Sequence, residues 1–125
     1  MIRLSKVQIL QLQAVLIERY GGTPGLRDEG LLDSALAAPF QTFDGEEIYT
    51  TVQEKAVRLC YGLVKNHPFI DGNKRIGALA LLVTLDLNDL SLNTTSKELS
   101  KIILSLADGK TDLEQLLQWV YELTI

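Results

Sequence analysis

The stretch Ile76-Gly77-Ala78-Leu79-Ala80-Leu81-Leu82-Val83 decides the fold. It lies in a predicted helix running from Asn73 to about Leu87 and is apolar on nearly every side. A helix of that kind is buried all round, so it belongs at the centre of a domain.

Working outward, most of the chain reads as further helices. Residues 51–65 return to helical spacing, with Val52, Ala56, Leu59, Cys60 and Leu63 on one side. Pro68 cannot continue that helix, and residue 67 before it is pushed toward extended geometry. Ser5 reads as an N-cap, followed by an amphipathic stripe of Val7, Leu10, Ala14 and Ile17. Gly21-Gly22 and Pro24 stop that first helix. A short second helix is predicted over residues 30–38, ending before Pro39 and burying Leu31, Leu32, Ala35 and Leu36. Two more are predicted over residues 96–107 and 112–123, separated by Asp108-Gly109. Only residues 41–50 break the pattern. Asp44-Gly45 is a turn signal flanked by Thr42-Phe43 and Ile48-Tyr49-Thr50, so a loop or small hairpin is expected there. The expectation is an all-α fold: one compact helical domain over residues 1–125, around a buried central helix.

Bulk composition agrees. The chain has 125 residues, 46% hydrophobic and 22% charged, with three prolines and 6% aromatics. That balance suits one globular domain of packed helices. Twelve basic against 16 acidic residues give a net charge of −4, and no basic run is present. Direct nucleic-acid binding is therefore not expected. Cys60 is the sole cysteine and His67 the sole histidine, which excludes a disulfide within the chain and a zinc-finger site. Cys60 reads as a buried small hydrophobe. Residues 1–13 carry charges and no long apolar stretch, and the apolar run 76–85 is too short for a bilayer. The cytoplasm is the expected location, with no membrane association.

The polar run directly before the central helix concentrates chemistry. His67, Asp71, Asn73, Lys74 and Arg75 fall within nine positions. Free N–H groups and the positive dipole end make a helix start an anion site. Gly72 lets backbone approach a ligand closely. Arg75 offers a fork for phosphate oxygens and Lys74 a point charge. Asp71 is suited to hold magnesium alongside phosphates. His67 has the side chain whose ordinary pKa suits a general base. Residues alone leave a second account open: Asp71-Gly72-Asn73 as a plain turn and Lys74-Arg75 as a solvated first turn. Against it, cations at a helix start oppose the dipole by a few tenths to about 1 kcal/mol each. Trp119 and Tyr121 read as packing residues.

The run resembles the Fic motif, His-x-Phe-x-Asp/Glu-Gly-Asn-Gly-Arg-x-x-Arg. His67, Phe69, Asp71, Gly72, Asn73 and Arg75 match it. Lys74 replaces the second glycine and Ala78 the final arginine. Both departures are similar to the Doc (death-on-curing) branch of Fic/Doc proteins, toxins of toxin–antitoxin pairs. Gly72 is instead Fic-like, since Doc relatives often carry alanine there. Residues 19–28 and 31–36 also look like a Doc-type N-terminal half, so the resemblance covers roughly residues 5–90.

The resemblance implies an all-helical Fic/Doc-type bundle and a set of roles. Fic relatives move AMP from ATP to a protein hydroxyl. The Doc branch resembles a kinase, moving the terminal phosphoryl group of ATP to a threonine of elongation factor Tu and stopping translation. By position, His67 would deprotonate the target hydroxyl and Asp71 would hold Mg2+. Gly72, Asn73, Lys74 and Arg75 would bind the nucleotide phosphates, and Phe69 would be structural. Residues 41–50 would be a flap that holds the target segment. The chain lacks the Ser/Thr-x-x-x-Glu-Gly/Asn segment by which some Fic proteins block their own site. A separate small antitoxin is the implied regulator. The rival readings are an AMP-transferring Fic protein and a non-catalytic antitoxin-binding partner.

Overall fold

The computed structural model describes residues 1–125 as six helices and one short hairpin. Helix α1 spans Lys6–Tyr20, α2 Glu29–Ala37, α3 Val52–Asn66, α4 Asn73–Leu87, α5 Ser96–Ala107 and α6 Leu113–Leu123. Strands β1 (Thr42–Phe43) and β2 (Glu46–Glu47) pair antiparallel, with Thr42 opposite Glu47 and Phe43 opposite Glu46.

Local signals set most of these boundaries. Ser5, Asp28, Thr51, Thr95 and Asp112 each cap a helix by accepting a backbone N–H three residues on. Ser5–Gln8 and Asp112–Gln115 complete reciprocal capping boxes. Pro39 does not simply follow α2; it sits in a single 3-10 turn, Ala38–Phe40, that extends the helix. The hairpin is present, but its second strand is Glu46–Glu47 and not the Ile48-Tyr49-Thr50 segment.

The core has two lobes that share α3 and α4. On one side Ile9, Leu32, Ala35, Leu59, Leu63, Phe69, Ile76 and Ala80 pack together, joining α1 and α2 to the centre. On the other, Val57, Cys60, Val64, Leu81 and Leu85 meet Leu99, Ile103 and Leu106 of α5 and Leu116 and Val120 of α6. A helix facing both lobes must be apolar on two sides, which explains the composition of α4. Burial pushes the Cys60 thiol up to about 12, so it is an inert core group. Trp119 packs against the second lobe. Tyr121 meets the Thr51 hydroxyl at 2.7 Å, fastening α6 to the start of α3.

The face of α1 differs from expectation. Ile9 and Gln13 are buried, while Val7 and Ala14 face solvent. Leu12 and Leu16 join Leu10 around the first lobe, so the apolar stripe is rotated from the one predicted. Lys55 is another surprise, at 5% exposed inside the start of α3. Its ammonium donates to the Tyr49 carbonyl, lies 3.4 Å from Glu47 and sits 6.0 Å over the Phe40 ring. The hairpin is thereby tied down by one buried cation. No helix is long and apolar enough to cross a membrane.

Close approach of α3 and α4 depends on Gly77. A Cβ there would lie 2.6 Å from Val64 Cγ2 and 3.4 Å from the Cys60 carbonyl oxygen. Alanine's helix propensity would favour the substitution by about 1 kcal/mol. The clash with a stiff side chain, 2% exposed, outweighs it. Gly77→Ala is expected to lower stability by about 1–3 kcal/mol in urea unfolding, with an unchanged m-value. Adding Val64→Ala should recover part of the loss that Gly77→Ala causes; strictly additive losses would show that the clash is not the cause.

Candidate active site

Between α3 and α4 the chain makes a tight loop, residues 67–72, whose shape is set by three partners. Phe69 is 1% exposed and anchors the loop in the first lobe. The Asn73 side chain clasps it: Oδ1 accepts the Phe69 N–H at 3.0 Å and Nδ2 donates to the Phe69 carbonyl at 3.0 Å. The α1–α2 connection straps it from outside. Pro68 O accepts N–H groups from Arg27 (2.8 Å) and Asp28 (3.0 Å), and Ile70 N–H donates to Gly25 O at 3.1 Å. Leu26 and Phe69 form an isolated antiparallel bridge. This strap gives the resemblance over residues 19–28 a physical reason.

The loop delivers the expected residues to one cavity of about 480 Å3. His67, Asp71, Gly72, Asn73, Lys74 and Arg75 all line it. Ala78 lies one turn farther along α4, and Ser100, Ile103 and Leu104 of α5 form the opposite wall. Gly72, with φ +81°, leads into α4 and supplies no side-chain cap. The other five helices are all side-chain capped. The first-turn N–H groups of α4 are thus left for whatever fills the cavity.

The two cations at this end join no ion pair. The ion pairs of the protein join Lys6 to Glu29 and Asp33, and Lys55 to Glu47. Neither Lys74 nor Arg75 has such a partner. Arg75 instead lies 4.5 Å over the Tyr20 ring. Asp71 is exposed, and its Oδ2 accepts the Thr23 N–H at 2.7 Å. Gly22 makes that contact possible: its φ is +114°, and a Cβ there would lie 3.2 Å from Asp71 Cβ. The Gln13 amide, 4% exposed, donates to the Asp71 carbonyl at 3.4 Å. No three His, Cys, Asp or Glu side chains converge on a metal position. Asp71 alone fits a cation that takes its other ligands from phosphate and water, as magnesium does.

Two expectations change here. His67 is not extended but left-handed, φ 52° and ψ 53°, as the C-cap of α3. Asn73 reaches the cavity wall with its side-chain amide already engaged on Phe69; residue 73 offers a ligand chiefly its backbone N–H. None of residues 41–50 lines the cavity. Lys55, which ties the hairpin, stands twelve residues before His67, about 18 Å along the α3 axis. Thr23, Arg27 and Gln13 were not picked out from the sequence as supports of the site, because their contacts are long-range and all three are made by or to backbone. The α5 wall carried no signal either.

Residues 3–85 match the Fic/DOC family. Over 73 residues the chain is also 40% identical to a protein named Toxin Doc, from Mycolicibacterium smegmatis. That match takes in 58% of this chain and 56% of the relative, so the chain spans little more than half the relative's length. With the motif loop, the uncapped helix start and the match over most of its N-terminal two thirds, the chain belongs to the Fic/DOC family.

Proposed function

We propose that this chain is the toxin of a toxin–antitoxin pair, acting in the cytoplasm as an ATP-dependent phosphotransferase on a protein hydroxyl. The observation that carries the reading is the convergence of His67, Asp71, Lys74 and Arg75 on one cavity at the uncapped start of α4. The relative named Toxin Doc supports the toxin assignment. On the resemblance to the Doc branch, the target would be a threonine of a translation factor such as elongation factor Tu, with a small antitoxin restraining the protein in trans.

In this mechanism the N–H groups opening α4, with Lys74 and Arg75, bind and orient the nucleotide phosphates. Asp71, held by Thr23, would hold Mg2+, which would neutralise charge on the phosphates. His67 accepts the proton of the target hydroxyl. The hydroxyl oxygen bonds to the terminal phosphorus as the bond from that phosphorus to the bridging oxygen breaks, and ADP carries away the electron pair. The protein's contribution is positioning and charge stabilisation. Ala78 lines the cavity where AMP-transferring relatives place an arginine, and Lys74 fills space that their second glycine leaves open. Both features favour transfer of the terminal phosphoryl group over AMP. A target segment pairing with the hairpin edge and ending at His67 needs about six extended residues to span 18 Å.

The nucleotide test uses calorimetry. Arg75→Ala is expected to weaken Mg-ATP binding by roughly tenfold or more, the scale of one charge-assisted contact, with little change in melting temperature. Unchanged affinity alongside a large fall in melting temperature would return Arg75 to a purely structural role.

Labelled ATP tests the reaction. Label at the terminal phosphate should appear on a translation factor, and label at the innermost phosphate should not. The converse pattern assigns AMP transfer, and no label from either position leaves a non-catalytic, antitoxin-binding role. His67→Ala should abolish labelling and relieve growth inhibition at equal expression; undiminished toxicity removes His67 from catalysis. Lys74→Gly should cut terminal-phosphate transfer steeply, whereas a wild-type rate would put the orienting group elsewhere.

A further inference from the structure

Resting on the reading of His67 as the base, we infer that Arg27 is the positioning residue that fixes the His67 backbone and so aims its imidazole. Helix α3 ends on His67 in the left-handed region. A helix ending that way is ordinarily closed by N–H groups of the residues that follow, folding back onto its last carbonyls. That closure is denied here, because the next residue is Pro68, which has no N–H. No backbone N–H closes α3, whereas α1, α2, α4 and α5 each have one.

Arg27 supplies the missing donors from another part of the chain. Its Nε donates to the His67 carbonyl at 2.7 Å and its Nη2 to the Asn66 carbonyl at 2.9 Å. The guanidinium takes part in no ion pair of the protein and is free for this fork. Its own N–H donates to the Pro68 carbonyl at 2.8 Å, so side chain and backbone grip three consecutive carbonyls, Asn66, His67 and Pro68.

Two opposing preferences make this grip consequential. A non-glycine residue in the left-handed region is strained, and a residue before proline prefers extended geometry. Without the fork, His67 has a local reason to swing from left-handed to extended. Such a swing turns the imidazole away from Asp71 and Lys74 while leaving α3 and α4 packed. Arg27 therefore acts through His67 and touches none of the reacting groups itself.

The sole histidine makes the test direct, because selectively labelled His67 gives one backbone and one imidazole set of NMR signals in the full chain. In Arg27→Ala the His67 backbone shifts should move from left-handed toward extended values. The rate at saturating Mg-ATP and target should fall roughly 10²-fold, the scale of a 1 Å misplacement, with nucleotide KM nearly unchanged. Arg27→Lys keeps the charge but offers a point donor, so both readouts should fall between wild type and Arg27→Ala; if the alanine variant fails to fold, the lysine variant carries the comparison. Unmoved His67 shifts in a folded variant overturn the inference, whatever the rate does. Moved shifts with a wild-type rate overturn it too. Should the wild type itself transfer nothing, the phosphotransferase reading fails, and the shifts still decide whether Arg27 holds His67.

Discussion

The clasp between Asn73 and the backbone of Phe69 is the contact on which the rest of the site depends. Both groups are buried, and the amide satisfies the N–H and the carbonyl of the same residue at 3.0 Å. Removing it leaves two buried backbone groups unsatisfied, at a cost of about 1–3 kcal/mol each. With that clasp closed, Phe69 sits in the first lobe and Gly72 turns into α4 without a side-chain cap. The loop is thus specified by the helix it precedes, and the helix start is left open by the loop.

That arrangement divides the protein into a stable frame and one unfinished end. Five helix starts are closed by Ser, Thr or Asp side chains, each such cap contributing roughly 1 kcal/mol. The sixth has a left-handed glycine in the capping position. At the same end α3 lacks its usual closure, because Pro68 has no N–H and Arg27 must reach across from another segment. Two helix termini that a purely structural design would finish locally are finished by distant residues or not at all. Departures of this kind from local consistency concentrate where a ligand completes the structure.

Helix positions were legible in the sequence because their determinants are local. Ser5, Pro39, Asp44-Gly45 and Asp108-Gly109 mark boundaries that the structure keeps within a few residues. The side of α1 that turns inward was not, because Val7-Leu10-Ala14-Ile17 and Ile9-Leu12-Gln13-Leu16 are both helical stripes of the same segment. The second turns inward, where Ile9, Leu12 and Leu16 pack on the first lobe and Gln13 finds the Asp71 carbonyl, 58 positions away. The left-handed His67 escaped for a related reason. Proline's effect on its predecessor argues for extended geometry, and only Arg27, 40 positions earlier, explains the alternative. The residue types of the site were legible as chemistry. The division of labour within it was not, since whether an asparagine holds a ligand or the backbone depends on which partner lies closer.

Lys74 separates a solvated first turn from a binding site. A cation in the first turn opposes the helix dipole by roughly 0.3–1 kcal/mol. For Arg75 the cost is offset within the fold, since a cation 4.5 Å over an aromatic ring at an exposed site contributes about 0.5–1 kcal/mol. Lys74 has no such compensation: it is exposed, joins no ion pair and stacks on no ring. A first turn shaped for stability alone would carry an acid there, as α2, α3, α5 and α6 do with Glu29, Glu54, Glu98 and Glu114. The helix that opens on the cavity is the one whose first turn has two cations and no acid. An anion bound in the cavity would supply the compensation that neither an ion pair nor a ring gives Lys74.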